Sequence, residues 1–219
     1  MKNFADVLNK CGLFDGIAEE NLDSMLGCIG ARAVKYRADE YIYREGDEAK
    51  TLGIVLSGAV RIERSDFDGN RTILARFGSP QIFGEAFACA GVKSIPVNAI
   101  AASDCEVLLI DSSKITSPCC NACSFHIKAV SNLLRLVSNR NILFHEKIEV
   151  TSERTTRGKL MAYLRLQAKK ANKRTFTIAF DRRELADYLE VDRSGLSNEI
   201  SKLRSEGIIE NHKNVFTLL

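Results

Sequence analysis

Four polar side chains at residues 193–198 have types and spacing suited to reading the edges of base pairs. They are Arg193, Ser194, Ser197 and Asn198. An asparagine amide can pair with the N6 and N7 atoms of adenine, an arginine can take guanine or a phosphate, and a serine hydroxyl can reach either. We therefore expect these residues to contact double-stranded DNA, with Arg182 and Lys202 on the phosphates.

The surrounding segment has the pattern of two short helices joined by a tight turn. Asp181 and Glu184 form a capping-box-like start, and Gly207 is a candidate end of the second helix. The inward positions at helical spacing are Leu185, Ala186, Leu189, Leu196, Ile200 and Leu203. Strands at 208–210 and 215–218 complete a winged helix-turn-helix, whose second helix enters the major groove. The alternative is a helical domain that does not bind DNA.

The charge distribution agrees with a DNA-binding C-terminal part. Residues 1–150 hold 17 Lys and Arg against 19 Asp and Glu, whereas residues 151–219 hold 14 against 9. A basic excess attracts the phosphate backbone, although an ordinary solvated surface can carry it by chance. We expect two domains, a sensor at 1–150 and a DNA-binding domain at 151–219.

A second chemical grouping lies at Cys119, Cys120, Cys123 and His126. Cys120, Cys123 and His126 are three residues apart, so on a helix they share one face and could hold a metal or undergo mutual oxidation. Buried cysteines that fill space as small hydrophobic side chains are the alternative. A thiol- or metal-based redox protein built on this cluster is therefore the competing function.

Other classes of protein are disfavoured by the composition. From the three histidines, at 126, 145 and 212, we assemble no nucleophile, base and orienting group, so we expect no enzyme. No stretch approaches the roughly 18 consecutive apolar residues that span a bilayer. The seven cysteines are an odd number without an apparent signal peptide, which favours reduced thiols in the cytoplasm. The sequence identifies no cofactor.

Short apolar runs separated by turn residues occupy the first half of the chain. The runs are residues 51–56, 59–62, 72–77 and 107–110, and helices are expected at 3–10 and 18–26. Strands at this spacing without intervening helices predict an antiparallel β-roll or barrel. The expected fold class is α+β.

A long helix follows, because residues 121–157 contain neither Gly nor Pro. Steps of three and four define a dimeric coiled-coil seam of Ile127, Val130, Leu134, Val137, Asn141, Phe144 and Ile148. The off-seam residues Leu133, Leu136 and Leu143 could cover the β domain. We expect a homodimer formed through residues 121–150 and a hinge at 151–155, with a core helix inside a monomer as the alternative.

This order of parts resembles the Crp/Fnr family of bacterial regulators across nearly the whole chain. The matching motifs are Arg44-Glu45-Gly46-Asp47, Leu56-Ser57-Gly58, Ile82-Phe83-Gly84-Glu85, Arg183-Glu184-Leu185-Ala186-Asp187-Tyr188-Leu189 and Arg193-Ser194-Gly195-Leu196-Ser197. The resemblance implies a cyclic-nucleotide-binding-like sensor with an unknown small-molecule effector. It also implies a homodimer on a roughly palindromic operator, and contact with RNA polymerase.

One departure from the family pattern narrows the range of possible effectors. In members that bind cyclic AMP, a Gly-Glu pair holds the ribose, and an Arg eleven residues later neutralises the phosphate. Gly84 and Glu85 match that pair, but Ile95 and Pro96 occupy the Arg-Ser positions. A buried phosphate would lack its cation, so we expect an effector other than cyclic AMP. Glu85 then either contacts another ligand or braces the turn.

Two further departures concern the iron–sulfur centre and the DNA-binding turn. Only Cys11 and Cys28 lie in the region where oxygen-sensing relatives hold an iron–sulfur cluster, so that cluster is not expected. In the best-known members a Glu stands at Ser194 and an Arg at Asn198, which predicts a different operator. Glu190 replaces the usual turn glycine and must adopt a left-handed backbone conformation.

Overall fold

The computed structural model describes residues 4–65, 71–117 and 124–219. It confirms the α+β class and divides the chain into two compact units, Met1–Asn139 and Arg140–Leu219. The division falls inside the long helix α5 (Ser124–Thr151). The domain boundary expected after residue 150 stays a prediction.

Two antiparallel sheets form the centre of the first unit. Their strands are β1 (Arg32–Tyr36), β2 (Tyr41–Tyr43), β3 (Thr51–Ser57), β4 (Ala59–Ser65), β5 (Arg71–Gly78), β6 (Ile82–Phe83), β7 (Asn98–Ala101) and β8 (Cys105–Asp111). The strand orders are β1-β8-β3-β6 and β2-β7-β4-β5. The predicted apolar runs lie in β3, β4, β5 and β8, and the antiparallel arrangement is confirmed.

Strand β3 is apolar without alternation because both of its faces are buried. Leu52, Ile54 and Leu56 pack in a cluster with residues of the helices, whereas Val55 belongs to the cluster between the sheets. At Gly53 a β-carbon would lie 2.3 Å from the Phe83 ring, so only glycine allows this close approach. The helices of this unit are α1 (Ala5–Leu8), α2 (Glu19–Cys28), α3 (Glu85–Ala90), α4 (Ser112–Thr116) and the first part of α5.

Helix α5 carries a stripe of exposed apolar side chains. The exposed apolar members of the predicted seam are Ile127, Val130, Leu134, Phe144 and Ile148, and the polar member Asn141 is exposed as well. Val137 and the off-seam Leu136 are half-buried against the core of the first unit, and the off-seam Leu133 is buried in that core. Leu143 differs from expectation, because it lies in the second unit and is 58% exposed.

The second unit contains the end of α5, α6 (Thr156–Ala171), β9 (Thr175–Thr177), α7 (Arg182–Leu189), α8 (Arg193–Ser205), β10 (Ile209–His212) and β11 (Val215–Leu218). Its three strands form an antiparallel sheet in the order β10-β11-β9. One apolar cluster joins the sheet to α6, α7 and α8. Among the described residues, no helix is long and apolar enough to cross a membrane.

Candidate nucleic-acid interface

Helix α8 is divided into a buried face and an exposed polar face. Leu196, Ile200 and Leu203 are buried in the core of the second unit. The residues predicted to contact DNA from this helix are all exposed: Arg193, Ser194, Ser197, Asn198 and Lys202. The structure therefore brings them together on one solvent-facing surface, with the base-reading candidates in the first two turns.

An aspartate caps the start of this helix. The Asp192 carboxylate accepts hydrogen bonds from the Ser194 hydroxyl and from the Gly195 amide, the latter at 2.8 Å. These bonds hold the pKa of the Asp192 carboxyl below its usual range. The Ser197 hydroxyl donates to the Arg193 carbonyl at 3.0 Å. Both serine hydroxyls are thus engaged within the helix, while the Asn198 amide has no hydrogen-bond partner among the described residues.

Helix α7 begins and ends with the geometry expected from the sequence. The predicted capping box is present, since Asp181 accepts from the Glu184 amide and Glu184 accepts from the Asp181 amide, each at 2.8 Å. Amide hydrogen bonds from Glu184 and Arg183 keep the pKa of the Asp181 carboxyl below its usual range. Glu190 adopts the expected left-handed conformation, with φ of 55°. The Lys159 ammonium donates to the carbonyl of Leu189 at 3.1 Å and thereby caps α7.

Arg182 contacts the wing, the β10–β11 hairpin. Its Nη2 donates to the Lys213 carbonyl at 2.9 Å, and its guanidinium lies 5.0 Å from the centre of the Phe216 ring. Its Nη1 is buried and has no hydrogen-bond partner among the described residues, and burial lowers the pKa of the guanidinium. This arrangement favours a structural role, in which Arg182 holds the wing in place. It does not favour the phosphate contact expected from the sequence.

The sensor residues Gly84 and Glu85 lie at the start of α3. Gly84 has φ of 75°, and a β-carbon there would lie 3.1 Å from the Tyr43 hydroxyl. Glu85 is only 3% exposed. Burial raises the pKa of Tyr43, and the nearby charge of Glu85 raises it further. Glu85 is therefore buried beside Tyr43, and its two expected roles, contact with a ligand and bracing of the turn, both stay predictions.

Two family models match the chain, and they match the two parts in the expected order. The cyclic nucleotide-binding domain matches residues 33–119, and the Crp-like helix-turn-helix domain matches residues 158–219. The chain belongs to the Crp/Fnr family. The second match contains α7, α8 and the wing, and the first contains both sheets except for the start of β1.

Individual relatives of this Crp/Fnr chain are distant. A cyclic AMP receptor protein from Thermus thermophilus is 33% identical over 99 residues, which are 45% of this chain and 44% of that protein. The match therefore spans less than half the length of that relative.

Two solved structures show the same fold at low sequence identity. The catabolite activator protein of Thermus thermophilus has a TM-score of 0.50 at 22% identity, over 95% of this chain and 93% of that chain. The c-di-GMP responsive global regulator CLP of Xanthomonas campestris has a TM-score of 0.54 at 20% identity, over 92% and 99% of the two chains.

The position of the family's phosphate-binding arginine lies in an apolar interior. Ile95 is 3% exposed, and it packs in the cluster between the sheets with Val97 and Phe83. The Phe83 ring is 6.1 Å, centre to centre, from the rings of both Tyr43 and Phe77. Apolar and aromatic side chains thus surround the position where a cyclic phosphate would require a cation.

Of the predicted grouping of three cysteines and a histidine, only the histidine lies among the described residues. Cys119, Cys120 and Cys123 lie outside the described residues. His126 is 5% exposed, with Nε2 2.7 Å from the Lys114 carbonyl oxygen and Nδ1 3.8 Å from Cys28 Sγ. Both ring nitrogens are engaged, so we assign no metal to His126. Within the described ranges, no three His, Cys, Asp or Glu residues are grouped to hold a metal ion.

The contact between Cys28 and His126 is not predicted by the sequence. The three histidines show no grouping with a thiol along the chain that includes Cys28, yet the structure places a thiol and a carbonyl on opposite nitrogens of one imidazole. The two residues are 98 positions apart. No local pattern in the sequence signals a contact over that separation.

Proposed function

We propose that this chain is a sequence-specific DNA-binding transcription regulator that acts as a homodimer, with α8 as its recognition helix. The observation that carries the proposal is the exposed polar surface at the start of α8, supported by a buried face and flanked by a wing. Membership of a family of regulators supports it further. Like other helix-turn-helix dimers, the protein would bind a roughly palindromic operator with half-sites about one helical turn apart.

The proposed roles of the exposed residues follow from their chemistry and position. Asn198 reads a base, because its amide is exposed and has no intramolecular hydrogen-bond partner among the described residues. Arg193 contacts guanine or a phosphate, and Lys202 contacts a phosphate. Ser194 and Ser197 can rotate their hydroxyls from their helix acceptors to base edges or phosphates. Arg182 holds the wing.

The test of this function is a selection of duplexes from a random library, followed by binding measurements on the selected site. We expect Asn198→Ala to weaken binding to that site by about 1–3 kcal/mol and to relax preference at one base position. Lys202→Ala should weaken all duplexes similarly and reduce the salt slope by about one. The matched control is Asn139→Ala, which truncates an exposed side chain on α5 and should leave DNA binding unchanged.

The selection also separates the alternatives. Absence of salt-dependent binding to any duplex would contradict the regulator and favour a protein whose β-roll binds a different partner. Binding that keeps its base preference in Asn198→Ala would contradict the assigned reader and leave the regulator intact.

We further propose that the sensor responds to a signal other than cyclic AMP. The Ile95 position supplies no cation for a phosphate, and Glu85 is buried beside Tyr43. A ligand that binds only the folded state raises its stability by RT ln(1 + [L]/Kd). We expect 1 mM cyclic AMP to leave Tm within about 1 °C and operator affinity unchanged.

The selected operator provides the positive control in the same melting assay, because it should raise Tm. A clear rise with cyclic AMP would contradict this assignment of the sensor while leaving DNA recognition by α8 untouched.

A further inference from the structure

An exposed thiol contacts a buried imidazole in the first unit. Cys28, the last residue of α2, is exposed, and its Sγ lies 3.8 Å from Nδ1 of His126 in α5. His126 itself is 5% exposed. Cys28 is therefore a solvent-exposed residue, while the imidazole that it contacts is shielded from solvent.

The second contact of His126 determines which nitrogen carries the proton. Its Nε2 lies 2.7 Å from the carbonyl oxygen of Lys114, and a carbonyl oxygen can only accept. Nε2 therefore bears the hydrogen, and in the neutral imidazole Nδ1 has a lone pair that faces the Cys28 thiol. The three groups have the roles of nucleophile, base and orienting acceptor.

A cation lies close to the end of the helix that carries the thiol. The carboxyl end of α2 would disfavour a thiolate, because the last carbonyls of a helix form the negative end of its dipole. A β-carbon on Gly30, two residues after Cys28, would lie 2.8 Å from Lys114 Nζ. Lys114 thus orients His126 with its carbonyl and places its ammonium near the helix end, which offsets the dipole.

The other described cysteines are in less reactive surroundings. Burial raises the pKa of Cys11 to about 11 and also raises the pKa of Cys105. Cys89 is an exposed residue, but partial burial of its thiol and the charge of Glu85 raise its pKa. Cys89 is therefore a useful internal comparison, because it is an exposed thiol without an imidazole base.

We propose that Cys28 is a modification site that reacts with hydroperoxides, and that His126 acts as its base. The Cys28 proton passes to Nδ1, and the thiolate attacks one oxygen of hydrogen peroxide. An S–O bond forms and the O–O bond breaks, and the departing hydroxide takes the proton from Nδ1. The sulfur is oxidised by two electrons to a sulfenic acid, and the peroxide is reduced to water.

The test measures oxidation at each cysteine of the full chain. The protein is exposed to hydrogen peroxide at pH 7, sulfenic acids are trapped with a dimedone probe, and fragmentation mass spectrometry assigns the label to each of the seven cysteines. We expect Cys28 to be labelled about tenfold faster than Cys89. Equal rates in the unaltered protein, or labelling confined to Cys119, Cys120 and Cys123, would overturn the proposal without any need for a variant.

Variants then test the base. His126→Gln keeps a donor for the Lys114 carbonyl but has no basic nitrogen, so labelling of Cys28 should fall about tenfold, to the rate of Cys89. Cys89→Ser should leave labelling of Cys28 unchanged. If His126→Gln is folded and Cys28 still reacts at its original rate, the assignment of the base is wrong.

Discussion

Leu134→Glu is expected to convert the proposed homodimer into a monomer at micromolar concentration and to abolish tight operator binding. Leu134 is 67% exposed at the middle of the apolar stripe on α5. Exposed apolar side chains that recur along a long helix indicate an interface, and steps of three and four match a coiled coil. In a parallel pair the two glutamates would face each other, at a cost of at least about 3 kcal/mol. Sedimentation velocity measures the change.

The control for this prediction lies five residues further along the same helix. Asn139→Glu adds the same charge at an exposed position away from the seam, and it should leave both association and operator affinity within about twofold of the original protein. A stable monomer of the unaltered chain would contradict the dimer and leave the exposed stripe of α5 to another partner.

The parts that the sequence predicted well are those determined by neighbouring residues. The cap at Asp181 depends on contacts within a few positions and is recognised from residue type, whereas the left-handed Glu190 is expected because it stands at the position of the usual turn glycine of the family. Helix α8 has the same local character, since its inward face follows from helical spacing. The wing follows because β10 and β11 are separated by only two residues.

The parts that were missed depend on contacts between distant residues. Strand β1 was not anticipated, because only two of its five residues are even half-buried, and its partner β8 lies about seventy residues away. Asn132 is 2% exposed, and it donates to the carbonyls of Leu13 and Asp15. A buried asparagine on an otherwise apolar helix face has no local explanation. The Cys28–His126 contact was missed for the same reason.

Arg182 shows how tertiary contacts can change a residue's expected role. Its type and position, at the first residue of a helix in a DNA-binding motif, favour a phosphate contact. The fold instead places the guanidinium over Phe216 and against the carbonyl of Lys213. Burial of an arginine is unfavourable unless its N–H groups donate hydrogen bonds, and the bond to Lys213 partly offsets that cost. The two contacts link the start of α7 to the wing. The recognition surface therefore depends on the core beneath it.

Phe216→Ala should accordingly lower the free energy of unfolding of the second unit by about 3–5 kcal/mol. Phe216 is fully buried on β11, pairs across the strands with Phe176, and supports the Arg182 guanidinium. Such a loss is a large part of the roughly 5–15 kcal/mol that stabilises a typical domain. Urea denaturation gives its size, and hydrogen exchange at the amides of β10 and β11 gives its location.

The neighbouring Val215→Ala separates loss of core packing from a general effect on the wing. Val215 lies on the same strand but is 39% exposed, so its truncation should change the free energy of unfolding by no more than about 0.5 kcal/mol. If the two changes lowered the free energy of unfolding equally, the predicted contribution of Phe216 to core packing would be contradicted. If the predicted difference is found, operator affinity should fall only in Phe216→Ala, because the wing and α8 share the core cluster that the phenylalanine fills.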